Sequence, residues 1–361
     1  MGAAEPSPEP PPDAVLATLP FEVGDANRVV IDLAPAGKRR FPMMLDTGAQ
    51  GSVLTPRMAR ELGVTVRRMK SSPYRRETVL GRDLQFHVNT KLTDTGSKTG
   101  FEYGLLGGNF LEEYVVEIDF PGRQVRFLDP KQYRVPEDVT DPNETSFPLN
   151  LTARRPFAEV EIDGAPVQVL VDTGAPFPIV MAGPVAKKIG IDVDALAPFA
   201  ELGFVVGSTE ARFHEAASVR VGAIAQGPIP VLVVPRGSFN LGGATDSLVG
   251  YDLLAPFVVR FDYPRKRLWL RRVAPQGPTF LGVDYRVGRE LGVFLVARGE
   301  LTEVWRVNPA GIAQQFGLRS GDRVELDPPA VHAKVRAGDP LTVIRMRADE
   351  WTEVMLPEAQ P

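Results

Sequence analysis

The chain reads as short runs in which apolar and polar positions alternate, each broken by a turn residue. "FAEVEIDGAPVQVLV", from Phe157, alternates on both sides of Asp163-Gly164 and predicts a hairpin. "VVEIDFPGRQVRF" from Val115 and "VVRFDYPRKRLWL" from Val258 do the same around a proline-containing turn. "RVVIDL" with "FPMML", "TVLGRDLQFHV" from Thr78 and "SVRVGAIAQGPIPVLVV" from Ser218 add further strands. Helical spacing is confined to short pieces such as "TPRMARELG", ending at Gly63, and "GPVAKKIG", ending at Gly190. The pattern predicts a mainly β protein.

The pattern also repeats. "GGNFLEEYVVEIDFPGRQVRFL" from Gly107 lies over "GYDLLAPFVVRFDYPRKRLWL" from Gly250 without a gap, at an offset of 250 − 107 = 143. Asn109 meets Asp252, Leu111 meets Leu254, Asp119 meets Asp262 and Pro121 meets Pro264. Upstream, each copy has two strands leading into Asp-Thr-Gly-Ala, at Asp46 and at Asp172. The repeat divides the chain into a first lobe at 15–135, a linker at 136–146 with "PEDVTDPNET", and a second lobe at 147–273. A different pattern follows at 279–357.

Composition narrows the chemistry. The chain has 361 residues, a formal net charge of −4 and no cysteine. Thiolate catalysis, disulfides and cysteine metal sites are excluded, and the charge supplies no reason to expect nucleic acid as a partner. The three histidines, His87, His214 and His332, are far apart and form no metal-ligand spacing, so no metal or cofactor is expected. No apolar run reaches the ~18 residues that span a bilayer. The start, "MGAAEPSPEPPPDAV", is rich in proline and acid and lacks the basic start and apolar core of a signal peptide. Residues 1–14 are expected to form a disordered tail, either native or left after removal of a targeting segment.

A third Asp-Thr-Gly, at Asp94, follows polar Thr93 and lies only 107 − 94 = 13 residues before Gly107; it reads as a surface turn. The two repeated copies are different. A carboxylate at the end of a buried strand needs partners, and a Thr-Gly turn can aim backbone N–H groups at it. Two such turns facing each other bring two carboxylates close enough to share one proton. One acid can then take a proton from water while the other donates to a carbonyl under attack.

On these residues, "MLDTGA" with "LLGGNFL" and "VDTGA" with "LVGYDLL", the chain resembles a single-chain, two-lobed aspartic peptidase of the retropepsin-like kind over residues 15–273. The resemblance implies two acid-protease β-lobes forming a cleft, and a polypeptide as substrate. It implies Asp46 and Asp172 as the catalytic pair, Thr47 and Thr173 as a cross-lobe hydroxyl network, and Gly48 and Gly174 as tight turns. Gly107 and Gly250 would support the pair from behind. Flap candidates are Tyr74, expected near a hairpin tip in the first lobe, and Gly203 and Gly207 in the second. Ala49 and Ala175 stand where pepsin-like relatives place a hydroxyl, so the pair should titrate at less acidic pH, with an optimum from mildly acidic to near neutral.

"RVNPAGIAQQFGLRSGDRVEL" resembles a PDZ domain of bacterial type, which implies an α+β domain at 279–357 that takes a C-terminal peptide beside Leu291, Gly292 and Val293. Asp322 reads as a turn residue. The leading expectation is a monomeric endopeptidase without cofactor. A bacterial envelope location is favoured by analogy if a signal segment was removed, and a cytoplasmic one otherwise. Two alternatives stay open: non-hydrolytic chemistry at the pair, such as peptide cyclisation, and an inactive peptide-binding module.

Overall fold

The computed structural model describes residues 6–24, 28–33, 41–61, 74–80, 82–88, 104–196, 198–204, 207–227, 229–238, 241, 245–274, 293–298, 301–307, 312–315, 317–319, 321–325, 341–347 and 350–356. Asp94 falls outside them, as do Leu291, Gly292 and His332.

The first half runs β1 (Val15–Gly24), β2 (Arg28–Leu33), β3 (Phe41–Leu45), β4 (Ser52–Leu54), α1 (Pro56–Glu61), β5 (Tyr74–Val79), β6 (Arg82–Val88), β7 (Gly104–Leu106), α2 (Gly108–Leu111), β8 (Val115–Asp119) and β9 (Gln124–Leu128). The second half runs β10 (Glu144–Pro148), β11 (Asn150–Thr152), β12 (Arg155–Ile162), β13 (Ala165–Val171), β14 (Ile179–Ala182), α3 (Gly183–Lys188), β15 (Pro198–Phe204), β16 (Gly207–Ala216), β17 (Val219–Val221), β18 (Ile224–Gln226), β19 (Ile229–Val234), β20 (Ser247–Val249), α4 (Tyr251–Leu254), β21 (Phe257–Asp262) and β22 (Arg267–Arg272). The C-terminal segment holds β23 (Val293–Arg298), β24 (Leu301–Val307), α5 (Ile312–Gln315), β25 (Arg323–Glu325), β26 (Leu341–Arg347) and β27 (Glu350–Leu356). The protein is mainly β, as the alternation predicts.

The chain divides into two compact units that do not follow the repeat boundaries. One unit comprises Met1–Pro176, Ala217–Pro228 and Leu241–Gln276, and the other Phe177–Ala216, Ile229–Asn240 and Gly277–Pro361. The reason lies in the sheets. In the first unit a twelve-stranded sheet runs β10-β22-β21-β8-β9-β1-β2-β3-β7-β4-β6-β5. Its first six strands join three of the second half (β10, β22, β21) edge to edge with three of the first (β8, β9, β1), so hydrogen bonding fuses segments that sequence similarity separates. The same unit holds the order β20-β13-β12-β17-β18, with β11 on β12. The second unit holds β15-β16-β19-β14 and an antiparallel sheet in the order β23-β24-β25-β26-β27. In the latter, Asp322 Oδ2 accepts from the Arg319 N–H at 2.8 Å, as a turn residue does.

Local chemistry explains the hairpins that carry the site. Asp163 (φ 50°) and Gly164 (φ 81°) are both left-handed, as the tight turn between β12 and β13 requires. That turn sets the register, with Ile162 opposite Ala165 and Phe157 opposite Leu170. The core under these joined strands comprises Ala14, Val115, Leu128, Tyr133, Val135, Val258 and Trp269.

The expected disordered tail is corrected from Pro6 onward. The Ser7 N–H donates to Glu144 Oε1 at 3.0 Å, and Ala14 is fully buried. Glu9 accepts from Arg126 at 2.8 Å, from Arg271 at 2.8 Å and from Arg260 at 3.2 Å. Composition alone misleads here, because three arginines on three different strands hold a segment that has little apolar area to bury.

Candidate active site

β3 and β13 each end at an Asp-Thr-Gly, and each is held by a second strand running parallel to it. β7 pairs with β3, Leu45 opposite Leu106, and the Asp46 N–H donates to Leu106 O at 3.0 Å. β20 pairs with β13, Val171 opposite Val249, and the Asp172 N–H donates to Val249 O at 2.8 Å. The glycine after each supporting strand lets the chain pass behind the turn. The Gly108 N–H donates to Ala49 O at 2.9 Å, and the Tyr251 N–H donates to Ala175 O at 2.8 Å. A β-carbon on Gly107 would stand 2.6 Å from Gly51 O, so no other residue fits there.

The two turns interlock. The Thr47 N–H donates to Thr173 Oγ1 at 3.1 Å, and the Thr173 N–H donates to Thr47 Oγ1 at 3.0 Å. Each hydroxyl in turn donates across the site, Thr47 to Val171 O at 2.6 Å and Thr173 to Leu45 O at 2.7 Å. Both threonines are fully buried. A methyl or a hydrogen in place of either hydroxyl would strand one N–H and one carbonyl of the opposite copy. The glycines complete the fit: a β-carbon on Gly48 would lie 2.5 Å from Asp172 Oδ1, and one on Gly174 would lie 2.6 Å from Asp46 Cγ.

This packing brings the Asp46 and Asp172 carboxyls into hydrogen-bonding contact. Burial first, and then the Asp172 charge, push Asp46 well above the usual carboxylate range. Asp172 is also raised by burial, but the Gly174 N–H donates to its Oδ1 at 2.8 Å and favours its ionised form. Asp46 Oδ1 is buried and has no hydrogen-bond partner. The Gly48 and Ala49 N–H groups oppose the shift of Asp46 in the same way, so the two buried carboxyls are both raised and titrate as one coupled pair.

Other anticipated residues are placed as follows. Tyr74 is not at a hairpin tip. It opens β5 and pairs with His87, while the turn falls at Leu80, with φ 50°. The β5–β6 ladder starts at Tyr74 and closes at Val79 opposite Arg82, which puts position 74 at the far end from the turn. Gly203 and Gly207 lie on the hairpin of β15 and β16, Gly203 opposite Ser208 and Gly207 opposite Phe204. Val293 opens β23, opposite Val307. Among the described residues no cluster of three His, Asp or Glu side chains could hold a metal ion.

Three features were missed in the sequence. Asn109 Oδ1 accepts from the Ser52 N–H at 2.7 Å and from the Ser52 hydroxyl at 2.8 Å, and the Gly107 N–H donates to Ser52 Oγ at 3.0 Å. The signal was present, since Asn109 and Asp252 are matched polar positions in otherwise apolar repeats. The Arg28 charge acts on Asp172 and Arg155 feels the Asp172 charge, and no motif in the sequence marks either arginine.

Among known proteins, a family model described as aspartyl protease matches residues 31–84 and 158–253, one Asp-Thr-Gly in each segment. No curated protein matches. Solved structures that resemble the chain include a retropepsin-like aspartic protease from Rickettsia conorii, at 25% identity over 36% of this chain and 90% of that one, with a TM-score of 0.29. Basic 7S globulin from soybean is 12% identical over 70% of this chain and 94% of its own, with a TM-score of 0.40. Conglutin gamma from lupine seeds is 14% identical over 70% and 94%, with a TM-score of 0.39. With one Asp-Thr-Gly inside each matched segment and the two turns interlocked, the fold is that of a retropepsin-like aspartic protease, carried twice in a single chain.

Proposed function

We propose that the protein is an aspartic endopeptidase that hydrolyses extended polypeptide segments. The observation that carries the reading is the reciprocal bonding of Thr47 and Thr173. It holds two buried acids in contact with one proton between them. A structural turn needs one carboxylate at most, and a buried pair that repel each other is costly unless the shared proton is used.

In this reading Asp172, ionised, takes a proton from water as the water oxygen attacks the scissile carbonyl carbon. Asp46 donates its proton to the carbonyl oxygen, so no oxyanion is left in a low-dielectric site. Asp172 then gives its proton to the leaving nitrogen as the C–N bond breaks. Asp46 recovers a proton from one hydroxyl of the tetrahedral diol, and the pair returns to its starting state. No covalent enzyme intermediate forms.

The motif at 279–357 supports a PDZ-like module that recruits polypeptides, an arrangement we propose alongside the peptidase reading. The test is incubation of the full chain with a peptide library, followed by mass spectrometry. Hydrolysis adds one water across two products, cyclisation does not, and binding leaves masses unchanged. Asp46→Asn and Asp172→Asn should each abolish cleavage in a folded protein, and a statine-type inhibitor should block the unaltered chain. Full activity in either variant would end the assignment.

A further inference from the structure

The two ends of β12 carry turns of different chemistry. Where β12 meets β13, Asp163-Gly164 suits a tight left-handed turn. Where β11 meets β12, Thr152 stands opposite Arg155, and the two residues between them, Ala153 and Arg154, have φ of 50° and 67°. Neither is a glycine, an asparagine or an aspartate, so each holds a left-handed backbone at a cost that the surrounding structure must offset. The offset comes from the first half. A β-carbon on Gly108 would stand 2.6 Å from Arg154 O and 2.7 Å from Arg154 Cβ, so the tip of the hairpin sits against bare backbone. Arg154 Nε also donates to Glu112 Oε1 at 2.8 Å, at the other end of α2.

The backbone that the tip presses on supports the first acid. The Gly108 N–H donates to Ala49 O at 2.9 Å, and the Ala49 N–H donates to Asp46 O at 3.3 Å. On its other side the tip runs straight into β12, which holds Phe157 opposite Leu170 on β13, the strand that leads into Asp172. A short path of backbone therefore links the two acids through Ala153 and Arg154. The second half differs at the matching position. Tyr251 stands where the repeat aligns Gly108, at 251 − 108 = 143, and its ring packs edge-on to Phe120 with centroids 5.2 Å apart. A side chain at position 108 would push the Arg154 backbone away, which gives this difference between the halves a physical reason.

We propose that the Ala153-Arg154 tip is a positioning element for the acid pair, with Arg154 as its positioning residue, wedged from the second half against the support of the first acid. A turn that served the hairpin alone would carry the chemistry of Asp163-Gly164. The strained pair is retained because its side chain and β-carbon hold Gly108, and through Gly108 and Ala49 the turn that carries Asp46. The inference rests on the peptidase reading. It adds that a contact outside the two Asp-Thr-Gly turns helps to set the spacing of the acids.

The test gives the tip its favoured turn chemistry in the full chain. Ala153→Asn combined with Arg154→Gly suits the left-handed turn but removes the β-carbon at Gly108 and the bond to Glu112. The denaturation midpoint should rise, while kcat on a cleaved peptide falls roughly ten- to hundredfold with KM little changed, since a misplacement of about 1 Å costs up to that much. Arg154→Lys, which keeps the β-carbon and a cation, should retain most of the rate. The two titration steps of the acid pair, followed by carbon-13 NMR of the aspartate-labelled chain, should draw together in the double variant, because carboxyls further apart couple less. An unchanged kcat, or titration steps that do not move, overturns the inference. So does a rate that falls together with the midpoint, the mark of a turn that is merely structural. Gly108→Ala approaches the same contact from the other side and should reproduce the loss of rate; if it does not fold, the double variant decides. Titration steps that draw together in a chain that cleaves no peptide would sustain the inference and sink the peptidase reading. Cleavage that the double variant leaves unaltered would do the reverse.

Discussion

Glu117 and Arg260 are equivalent positions of the repeat, at 260 − 117 = 143, and they face each other across β8 and β21. Arg260 Nε donates to Glu117 Oε2 at 2.5 Å, with Glu117 1% exposed and Arg260 fully buried. The neighbouring pairs are Val259 with Ile118 and Phe261 with Val116, and the next are Val258 with Asp119 and Asp262 with Val115, so the pseudo-twofold axis of the two halves passes between the ion-paired residues. Opposite charges on that axis favour pairing of unlike halves, because two copies of the same half would place like charges together.

Removing one member strands a buried charge. Glu117→Leu or Arg260→Leu should cost about 3–5 kcal/mol each in denaturant unfolding, and the double variant less than their sum. Arg260→Glu should be worse than Arg260→Leu, and Glu117→Arg with Arg260→Glu should recover stability. The effect of Arg260→Leu is softened by Arg126, which also bonds Glu117. An additive double-mutant cycle would disprove the pairing role.

Gly48→Ala and Gly174→Ala introduce a β-carbon into the opposite carboxyl. Each should abolish cleavage and weaken statine-type inhibitor binding at least a hundredfold, since a misplacement of about 1 Å already costs that much. Retained activity in both would contradict the interlocked geometry.

Thr173→Val leaves the Thr47 N–H and the Leu45 carbonyl without partners. The expected loss is about 1–3 kcal/mol for each stranded group, measured by chemical denaturation. Thr173→Ser keeps the hydroxyl and should lose under 1 kcal/mol, while costing little activity. Valine and serine variants of equal stability would refute this account.

Both acids of the pair are raised in the folded chain, so it binds more protons there than the unfolded chain does. Stability from this source is fully present below the ordinary carboxylate range, and it is lost as pH rises through the folded titration of the pair. Unfolding free energy should therefore fall with pH across the mildly acidic to neutral range, and Asp46→Asn should flatten that slope. The profile of kcat/KM should peak from mildly acidic to near neutral pH. A peak well below pH 4 would contradict the environment described here.

Glu9 behaves in the opposite sense. Although burial opposes it, bonds from Arg126 and Arg271 and the Arg260 charge hold its carboxyl below the usual range. Its contribution is present above the unfolded value near 4.3 and disappears as pH falls through the folded one. Because Glu9 is half exposed, Glu9→Gln should cost no more than about 1 kcal/mol, and less at high salt. An unchanged melting temperature in low salt would show that the N-terminal segment does not clasp the sheet.

Much of the site was legible because its parts are local. A strand ending in Asp-Thr-Gly needs only neighbouring residues, and the duplicated Gly107 and Gly250 marked the supporting strands by spacing alone. The turn at Leu80 was legible for the same reason, whereas Tyr74 was misplaced because strand register, set by that turn, decides which residue stands at the tip. The buried Glu117–Arg260 pair was hidden: each residue alternates correctly as a strand polar position, and only the partner strand makes it interior.

By itself the sequence determined the β content, the duplication and the two Asp-Thr-Gly turns that end matching strands, because alternation, turn chemistry and repeat spacing act over short stretches. Tertiary structure alone decided that a proline-rich start is anchored, that burial and mutual charge raise both acids of the pair, and that Glu117 meets Arg260 in the interior. Those outcomes depend on burial and charge contributed by residues more than a hundred positions away, or across a ladder whose register only the folded chain specifies.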